Sequence, residues 1–568
     1  MKYKNYKVEP IKDLRSMLHN SVTKWADNPA FLEKRDGKYQ PISFARFESD
    51  TKALGTELCA RGFADSRIVV TGQNCYDWAT VYMTVINGLG VIVPLDKEIP
   101  PEEMTNIIEI SRSRCVFYSP KLMEKINFDI PDVTFFSFDD IPALIESGKK
   151  RIAEGDNTYS ELPIDVDKLA SLIFTSGTTG VSKGVMLSQK NIFSNIIEMT
   201  QMIKIGPEDT FLSILPLHHC YECTCGFLCQ IYRGSVIAYC EGLHRILKNM
   251  MEVKPTIVLC VPLLLETMYN KILQKIRKQG MEKKVNAALK LSNSLLKVGI
   301  DIRSKLFAEI QQTFGGRLKL FISGGAAIDP EILKGLRGFG INAVQGYGLT
   351  ECSPLAAVNR DVYFDDTSAG LQTPNGLLKI VDVKDDGTGE ICYKGDNVML
   401  GYYEAPDLTK EVIYGGYLHT GDLGYIDNRG FLHITGRKKN VIVTSNGKNI
   451  FPEELETYLA RSKYVKESVV VGIKEKDSLD YTVFGMIYPD SEVFEDEFGK
   501  DYSHDIVKEK IEDAVSFANS MVQNYKHIKD YVITEEEFQK NTSNKIRRVG
   551  LEDLALKLIK KENRANYV

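Results

Sequence analysis

The stretch Leu172-Ile173-Phe174-Thr175-Ser176-Gly177-Thr178-Thr179-Gly180-Val181-Ser182-Lys183-Gly184 decides how the rest of the chain is read. An apolar, β-type run enters a loop of small hydroxyl residues and glycines that carries one lysine, and a helix is expected beyond it, over 189–200. Glycines let backbone N–H groups approach oxyanions, and serine and threonine hydroxyls add donors, so the loop is suited to cradle phosphate. It is not a Walker loop, because Lys183 follows Ser182 rather than a G-x-x-x-x-G run. Alone, such a loop is more often a turn, so its neighbours have to speak for it.

Outward from the loop the pattern is α/β. Upstream, amphipathic segments at 11–25 and 44–62 alternate with short apolar runs at 67–71, 91–95 and 115–118, as helices do when packed on largely parallel sheets. Downstream, strands are expected at 210–215, 235–238 and 318–323, and a helix at 330–338, capped by Asp329 with Pro330 in its first turn. Residues 375–435 change character: runs at 378–383, 389–393 and 430–434 joined by Asp385-Asp386-Gly387 and Asp427-Asn428-Arg429-Gly430 predict an antiparallel, barrel-like lobe over about 365–435. Past about residue 446 the α/β pattern returns on the scale of one small domain. The expected fold class is therefore α/β, a multi-domain α+β chain with a large domain over 1–436 (two α/β lobes and the barrel-like lobe) and a small domain over 437–568.

Composition sets bounds on function. The 568 residues are 43% hydrophobic and 26% charged, with 71 Lys and Arg against 76 Asp and Glu. A disordered or collagen-like chain is excluded, and a net charge of -5 does not suit a nucleic-acid-binding polycation. The start is polar, so no secretory leader is expected, and no apolar run reaches the length of about 20 residues that a membrane span needs. Eleven cysteines, an odd number, fit reduced thiols in a cytoplasm. Of the cluster His218-His219-Cys220-Tyr221-Glu222-Cys223-Thr224-Cys225-Gly226-Phe227-Leu228-Cys229, a buried helix using cysteine as a small hydrophobe is the preferred reading over a zinc or iron–sulfur site. Between Lys271 and Lys305 ten Lys and Arg stand against Glu282 and Asp301, with apolar residues at helical spacing. A solvated helical pair and a surface for anionic lipid both fit that insertion.

Four further motifs and a C-terminal one follow the loop: Ser323-Gly324-Gly325-Ala326-Ala327, Gln345-Gly346-Tyr347-Gly348-Leu349-Thr350-Glu351, Tyr417-Leu418-His419-Thr420-Gly421-Asp422, Gly436-Arg437-Lys438-Lys439-Asn440, and Asn541-Thr542-Ser543-Asn544-Lys545-Ile546-Arg547-Arg548. In this order the set resembles the adenylate-forming superfamily, which includes acyl- and aryl-CoA synthetases, peptide-synthetase adenylation domains and luciferases. The resemblance implies that Thr175, Ser176, Gly177, Thr178, Thr179, Gly180 and Lys183 hold the ATP phosphates. Gly325, Ala326, Gln345, Gly346, Tyr347 and Gly348 would bound the adenine. Asp422 and Arg437 would take the ribose, and Thr350 and Glu351 would hold Mg²⁺ through hard oxygens. Lys545 is the implied catalytic lysine, stabilising charge that builds on the α-phosphate in the transition state. Lys439 matches the hinge, and Gly447, in Asn446-Gly447-Lys448, the wall of a tunnel for the pantetheine arm of CoA. Asn544 and Ser182 depart from the glycine and proline common in the family, without removing a charged group.

The phrase Leu215-Pro216-Leu217-His218-His219 and the basic insertion most resemble long-chain fatty acyl-CoA synthetases, with small and apolar residues (Cys223, Cys225, Gly226, Phe227, Val344, Gly346) offered to the acyl chain and His219 near its carboxylate. The expected activity is ATP-dependent activation of a medium- to long-chain fatty acid to acyl-AMP, then transfer to CoA. ATP and CoA are the co-substrates, Mg²⁺ the cofactor, and no nucleic acid is involved. The expected place is the cytoplasm, with peripheral membrane contact through the basic helices. Alternatives are an acyl-AMP ligase serving a separate acyl carrier protein, an aryl-CoA ligase and a non-catalytic adenylate-binding regulator.

Overall fold

The computed structural model describes residues 4–175, 183–444, 448–474, 481–540 and 546–561. Two large sheets organise the chain. The first has seven strands, in the order Gly401–Tyr402, Lys183–Ser188, Leu169–Thr175, Gly90–Leu95, Ser66–Thr71, Cys115–Tyr118 and Thr134–Ser137. Its inner strands pair in parallel and are buried on both faces, which is why they read as continuous apolar runs.

The second sheet has fourteen strands. Its parallel half runs from Asn342–Gly348 through Leu320–Ser323, Ile257–Cys260, Thr210–Ser213 and Val236–Tyr239 to Pro29–Arg35. From Asn342–Gly348 the path turns antiparallel, through Leu355–Val358, Gly370–Gln372, Phe431–Arg437, Tyr417–Ile426, Gly389–Lys394 and Leu377–Val381. The barrel-like lobe expected over about 365–435 is antiparallel as read, but among the described residues it is no closed barrel: its strands pair onward from the parallel half and form one end of this long sheet, with Leu377–Val381 last in the order. A third sheet pairs Val465–Lys474, Tyr481–Pro489 and Asp530–Ile533 near the C-terminus.

One core is shared by both large sheets. Ile68 and Ile92 of the first and Phe31, Phe211 and Val344 of the second belong to the same buried cluster, together with Phe47, Trp78 and Phe227 from the helices between them. Phe31, Phe47, Tyr76 and Phe227 meet edge-on or tilted at centroid distances of 4.8–6.3 Å, an arrangement favoured by ring quadrupoles.

The loop that opens the reading departs from expectation in one respect. It joins two antiparallel strands, Leu169–Thr175 and Lys183–Ser188, with Thr175 opposite Lys183, before the helix Gln189–Met202 begins. The short run Gly184-Val185-Met186-Leu187 packs its valine and leucine inward and so extends as a strand. Ser188 then caps the helix, its hydroxyl accepting from the Asn191 N–H at 3.1 Å while Asn191 Oδ1 accepts from the Ser188 N–H at 2.8 Å.

The basic insertion forms the helices Pro262–Lys278 and Glu282–Leu296, which lie beside Pro330–Gly338. Three contacts tie the C-terminal region to this part of the molecule. Arg461 grips Asp329 with two bonds of 2.8 and 3.0 Å, and Asp496 accepts from Gln274 at 3.2 Å and from Lys278 at 3.3 Å. No helix among the described residues is long and apolar enough to cross a membrane.

Candidate active site

The strand Asn342–Gly348 is the pivot of the site. It can lie this close to its antiparallel partner only because it lacks side chains where the backbones meet. A Cβ on Gly346 would sit 3.2 Å from the Ala357 carbonyl oxygen, and one on Gly348 would overlap the Pro354 carbonyl outright. Between them Tyr347 turns its ring inward, 9% exposed, and its hydroxyl donates to Asp422 Oδ2 at 2.7 Å. Burial, followed by the charge of Asp422, pushes that phenol well above its ordinary range. Gln345, also buried, donates to the Asp366 carbonyl at 3.0 Å.

Asp422 stands in Tyr417–Ile426 directly opposite Arg437 in Phe431–Arg437, and Arg437 Nε meets Asp422 Oδ1 at 2.9 Å. The carboxylate is 3% exposed and the guanidinium side chain 58% exposed, so the pair has one dry and one wet member. Glu390 supports the turn before Asp422: it accepts from the Gly421 N–H at 3.3 Å and from Lys438 Nζ at 2.9 Å. Hydrogen bonding from Lys438 and the nearby charges hold the Glu390 carboxyl below the usual range, against the opposing pull of burial. Three residues read from separate motifs, Tyr347, Asp422 and Arg437, are therefore in contact.

Thr350 and Glu351 follow Tyr347 on a short 3₁₀ turn, both half-buried. Glu351 Oε1 accepts from the Tyr402 hydroxyl at 2.8 Å, and the Cys220 thiol lies 3.6 Å from Thr350 Oγ1. Tyr402 sits in the outer strand Gly401–Tyr402, opposite Val185 of the hairpin, and Lys183 Nζ is 5.3 Å from its ring centroid. Tyr402 thus bridges the hairpin lysine to the Thr350–Glu351 turn. Nothing in the sequence marked it: its sole local signal is a tyrosine beside Gly401. Two neighbouring hard oxygens, a carboxylate and a hydroxyl, are a donor set that fits Mg²⁺.

Gly325 and Ala326 are exposed just past the strand Leu320–Ser323, and Gly325 takes a positive φ of 87°. Gly324 before them packs against Tyr221, whose ring would be 2.9 Å from any Cβ there and whose hydroxyl donates to the Ile322 carbonyl at 2.9 Å. Tyr221 opens the π-helix Tyr221–Leu228, a form found often at functional sites. Cys220, Cys223, Cys225 and Cys229 are buried there, packed as small hydrophobes in the main core. Burial pushes the Cys220 thiol up to about 12, so it is neutral at ordinary pH.

His219 is half-buried, with its ring 4.1 Å from that of His218. His218 Nε2 lies 3.5 Å from Asp96 Oδ2, close enough to suggest an ion pair. Burial, with His219 and Lys97 adding to it, pushes His218 well below its ordinary range, so the ring is neutral and the contact is not a charge pair. Glu222 is fully buried. It accepts from the Ser213 hydroxyl at 2.5 Å, and burial pushes its carboxyl up to about 8.

Lys439 is exposed, between Lys438, bound to Glu390, and Asn440, which donates to Glu453 at 2.6 Å. Thr175 and Lys183 are the described ends of the phosphate-loop motif. Ser176, Gly177, Thr178, Thr179, Gly180, Gly447 and Lys545 lie outside the described residues.

Comparison with known proteins adds to this geometry. A family model described as AMP-binding enzyme matches residues 18–403, and one described as AMP-binding enzyme C-terminal domain matches 439–561. The chain is 30% identical over 502 residues to a long-chain-fatty-acid–CoA ligase 1 of Cavia porcellus, covering 81% of this chain and 71% of that one. Among solved structures it is similar to an anthranilate CoA ligase in complex with anthranoyl-AMP, at a TM-score of 0.76 and 17% identity over 97% of this chain and 98% of the other. It is also similar to an o-succinylbenzoate CoA synthetase from Bacillus subtilis in complex with its acyl-adenylate intermediate. There the TM-score is 0.72 at 21% identity, over 94% and 98% of the two chains. At these identities the two structures speak for the fold.

Proposed function

The chain belongs to the AMP-binding enzyme family, and from that premise we propose that it joins a medium- to long-chain fatty acid to the thiol of CoA in two half-reactions. The observation that carries the adenylate half is the meeting of Tyr347, Asp422 and Arg437 from three separate motifs. The fatty acid is supported by the likeness to a long-chain-fatty-acid–CoA ligase and by the apolar π-helix beside Gly324.

In the first half-reaction a carboxylate oxygen of the acid attacks the α-phosphorus of ATP. The P–O bond to the β-phosphate breaks, and pyrophosphate leaves. Tyr347 would offer its ring to adenine, beside Gly325 and Ala326, while Asp422 would accept from the ribose hydroxyls and Arg437, paired with that carboxylate, would add a second ribose contact. Thr175, Lys183 and the hydroxyl loop between them would bind the β- and γ-phosphates. Thr350 and Glu351 would hold Mg²⁺, which supplies charge neutralisation along the triphosphate when bound. Tyr402 would orient Glu351. Lys545 would place an ammonium against the charge that develops on the α-phosphate.

In the second half-reaction the CoA thiolate attacks the acyl carbonyl and AMP leaves. Lys439, exposed at the end of the strand Phe431–Arg437, would be the pivot that exchanges Lys545 for the Gly447 loop, and that loop would line the path of the thiol. His219 would face the acyl carboxylate. Eleven free thiols, most of them buried, support a reducing compartment, the cytoplasm, with the basic insertion turned to the membrane from which the acid is drawn.

The test is ATP–pyrophosphate exchange across a panel of straight-chain and aromatic acids, repeated with CoA. Exchange is expected with fatty acids, and acyl-CoA once CoA is added. Absence of exchange with every acid would defeat the enzyme reading. Exchange with no acyl-CoA formed would move the acceptor to a carrier protein, and preference for aromatic acids would overturn the fatty acid.

A further inference from the structure

The strand Tyr417–Ile426 does not run evenly beside Gly389–Lys394. Glu390 stands opposite Leu423 and Cys392 opposite His419, so Thr420, Gly421 and Asp422 together face Ile391 alone. The strand bulges there, with Gly421 at a positive φ of 70°, and the bulge is what carries Asp422. A bulge leaves backbone groups without ladder partners, so other groups must take them. Glu390 Oε1 accepts from the Gly421 N–H at 3.3 Å, and the Gly421 carbonyl accepts from the Lys438 N–H at 2.9 Å. Glu390 Oε2 in turn accepts from Lys438 Nζ at 2.9 Å and lies 3.5 Å from His419 Nδ1. Glu390, Gly421 and Lys438 therefore close a ring of hydrogen bonds around the base of the bulge.

The place of that ring gives it a consequence. Asp422 follows Gly421 directly. Arg437, which meets Asp422 at 2.9 Å, directly precedes Lys438, and the exposed Lys439 directly follows it. A backbone movement at Lys439 is thus passed to Lys438, to Gly421 and on to the carboxylate. Plain stabilisation of the sheet is a poorer account of Glu390. An ion pair to a lysine whose side chain is 55% exposed adds little, and it does not require the other oxygen of the carboxylate to reach Gly421.

We propose that Glu390 is a positioning residue: through Gly421 it fixes the Asp422 carboxylate for ribose, and through Lys438 it ties that carboxylate to the backbone at Lys439. A nucleotide held by Asp422 then steadies the hinge through the same ring, because coupling between two sites is reciprocal. The proposal rests on the adenylate reading of Asp422 and on Lys439 as the pivot; it needs neither the fatty acid nor CoA.

Two variants of the full chain separate the links. Glu390→Met fills the space and removes both acceptors, whereas Lys438→Met removes the ammonium and keeps the backbone N–H. Calorimetric titration would compare AMP with 2′,3′-dideoxy-AMP, which offers Asp422 no hydroxyl. The parent is expected to prefer AMP by at least ~10-fold, and Glu390→Met to reduce that preference to ~2-fold or less by weakening AMP alone. Equal weakening of both nucleotides, or a preference left intact, would overturn the positioning role, since a merely structural loss does not distinguish ribose hydroxyls. The second readout is tryptic cleavage at Arg437-Lys438-Lys439, taken in each protein as the ratio of rates without and with saturating AMP. Protection of ~5-fold or more is expected in the parent and none in either variant. Protection that survives in the variants would overturn the tie to the hinge. Because Lys438 is exposed, its variant keeps this second readout decisive if Glu390→Met does not fold. A parent without affinity for AMP is a separate result, which would defeat the adenylate reading on which the proposal stands.

Discussion

Tyr402 donates to Glu351 and lies over Lys183, so it links the two parts of the site that would handle metal and phosphate. Removing its hydroxyl leaves the ring in place and frees one carboxylate oxygen. A hydrogen bond to a charged group contributes about 1.5–3 kcal/mol, so Tyr402→Phe is expected to lower kcat/KM for ATP by roughly 10-fold or more, measured by exchange at varied ATP. An unchanged constant would remove Tyr402 from any positioning role. Glu222 offers a pH test. Its buried carboxyl, raised to about 8 from the ordinary 4.5, keeps a proton that the unfolded chain releases. The stability it contributes is therefore complete below pH 4.5 and drains away as pH rises toward 8, at up to about 1.4 kcal/mol per pH unit. Glu222→Gln should flatten the fall in unfolding temperature between about pH 5 and pH 8; a parallel fall in both proteins would show that Glu222 is not the group responsible. Lys545→Ala should abolish adenylate formation and spare CoA acylation from supplied acyl-adenylate, and equal loss of both halves would count against separate residues for the two steps. Tyr347, Asp422 and Arg437 were legible because each sits in a short ordered motif. Tyr402 and Glu390 were not, because their partners come from 51 and 31 residues away in sequence, Glu351 on a 3₁₀ turn and Gly421 on a paired strand.

At the scale of elements, the approach of Asn342–Gly348 to Leu355–Val358 is set by its glycines. Gly348→Ala drives a Cβ into the Pro354 carbonyl, backbone against backbone, with no flexible side chain to yield. A loss of about 3 kcal/mol or more in unfolding free energy is expected. Gly346→Ala, whose Cβ would stand 3.2 Å from the Ala357 oxygen, should cost clearly less. Equal losses in denaturant unfolding would mean that the strand spacing is not what the glycines protect. Element identities were largely legible: the helix Pro330–Gly338 and the strand Cys115–Tyr118 stand where capping and β-branched runs put them. The strand Lys183–Ser188 was obscured by its brevity and by the loop before it, which reads equally as an approach to a helix. That the antiparallel strands would add themselves to the parallel sheet depended on pairing partners, which local periodicity does not encode.

At the scale of the whole molecule, Arg461 grips Asp329, the residue that also caps Pro330–Gly338 by accepting from the Glu331 N–H at 3.0 Å. One carboxylate so joins the C-terminal region to the helix that follows the exposed Gly325 and Ala326. Arg461→Ala should loosen this grip by about 1 kcal/mol and speed tryptic cleavage at the Arg437-Lys438-Lys439 run roughly 5-fold, since cleavage tracks the open population. Unaltered cleavage would mean that the bridge does not restrain that region. The same long-range wiring bears on how the chain is made. Pro29–Arg35 is among the first strands to leave the ribosome, yet its parallel partner is Val236–Tyr239. At about 5–20 residues per second, some 200 further residues take roughly 10–40 s to emerge. Over that interval Phe31 and Leu32 have only the hairpin partner Lys38–Ser43 on one edge and an open edge on the other, so slowing or pausing synthesis before residue 240 should raise the demand for chaperones, whereas a pause after it should not.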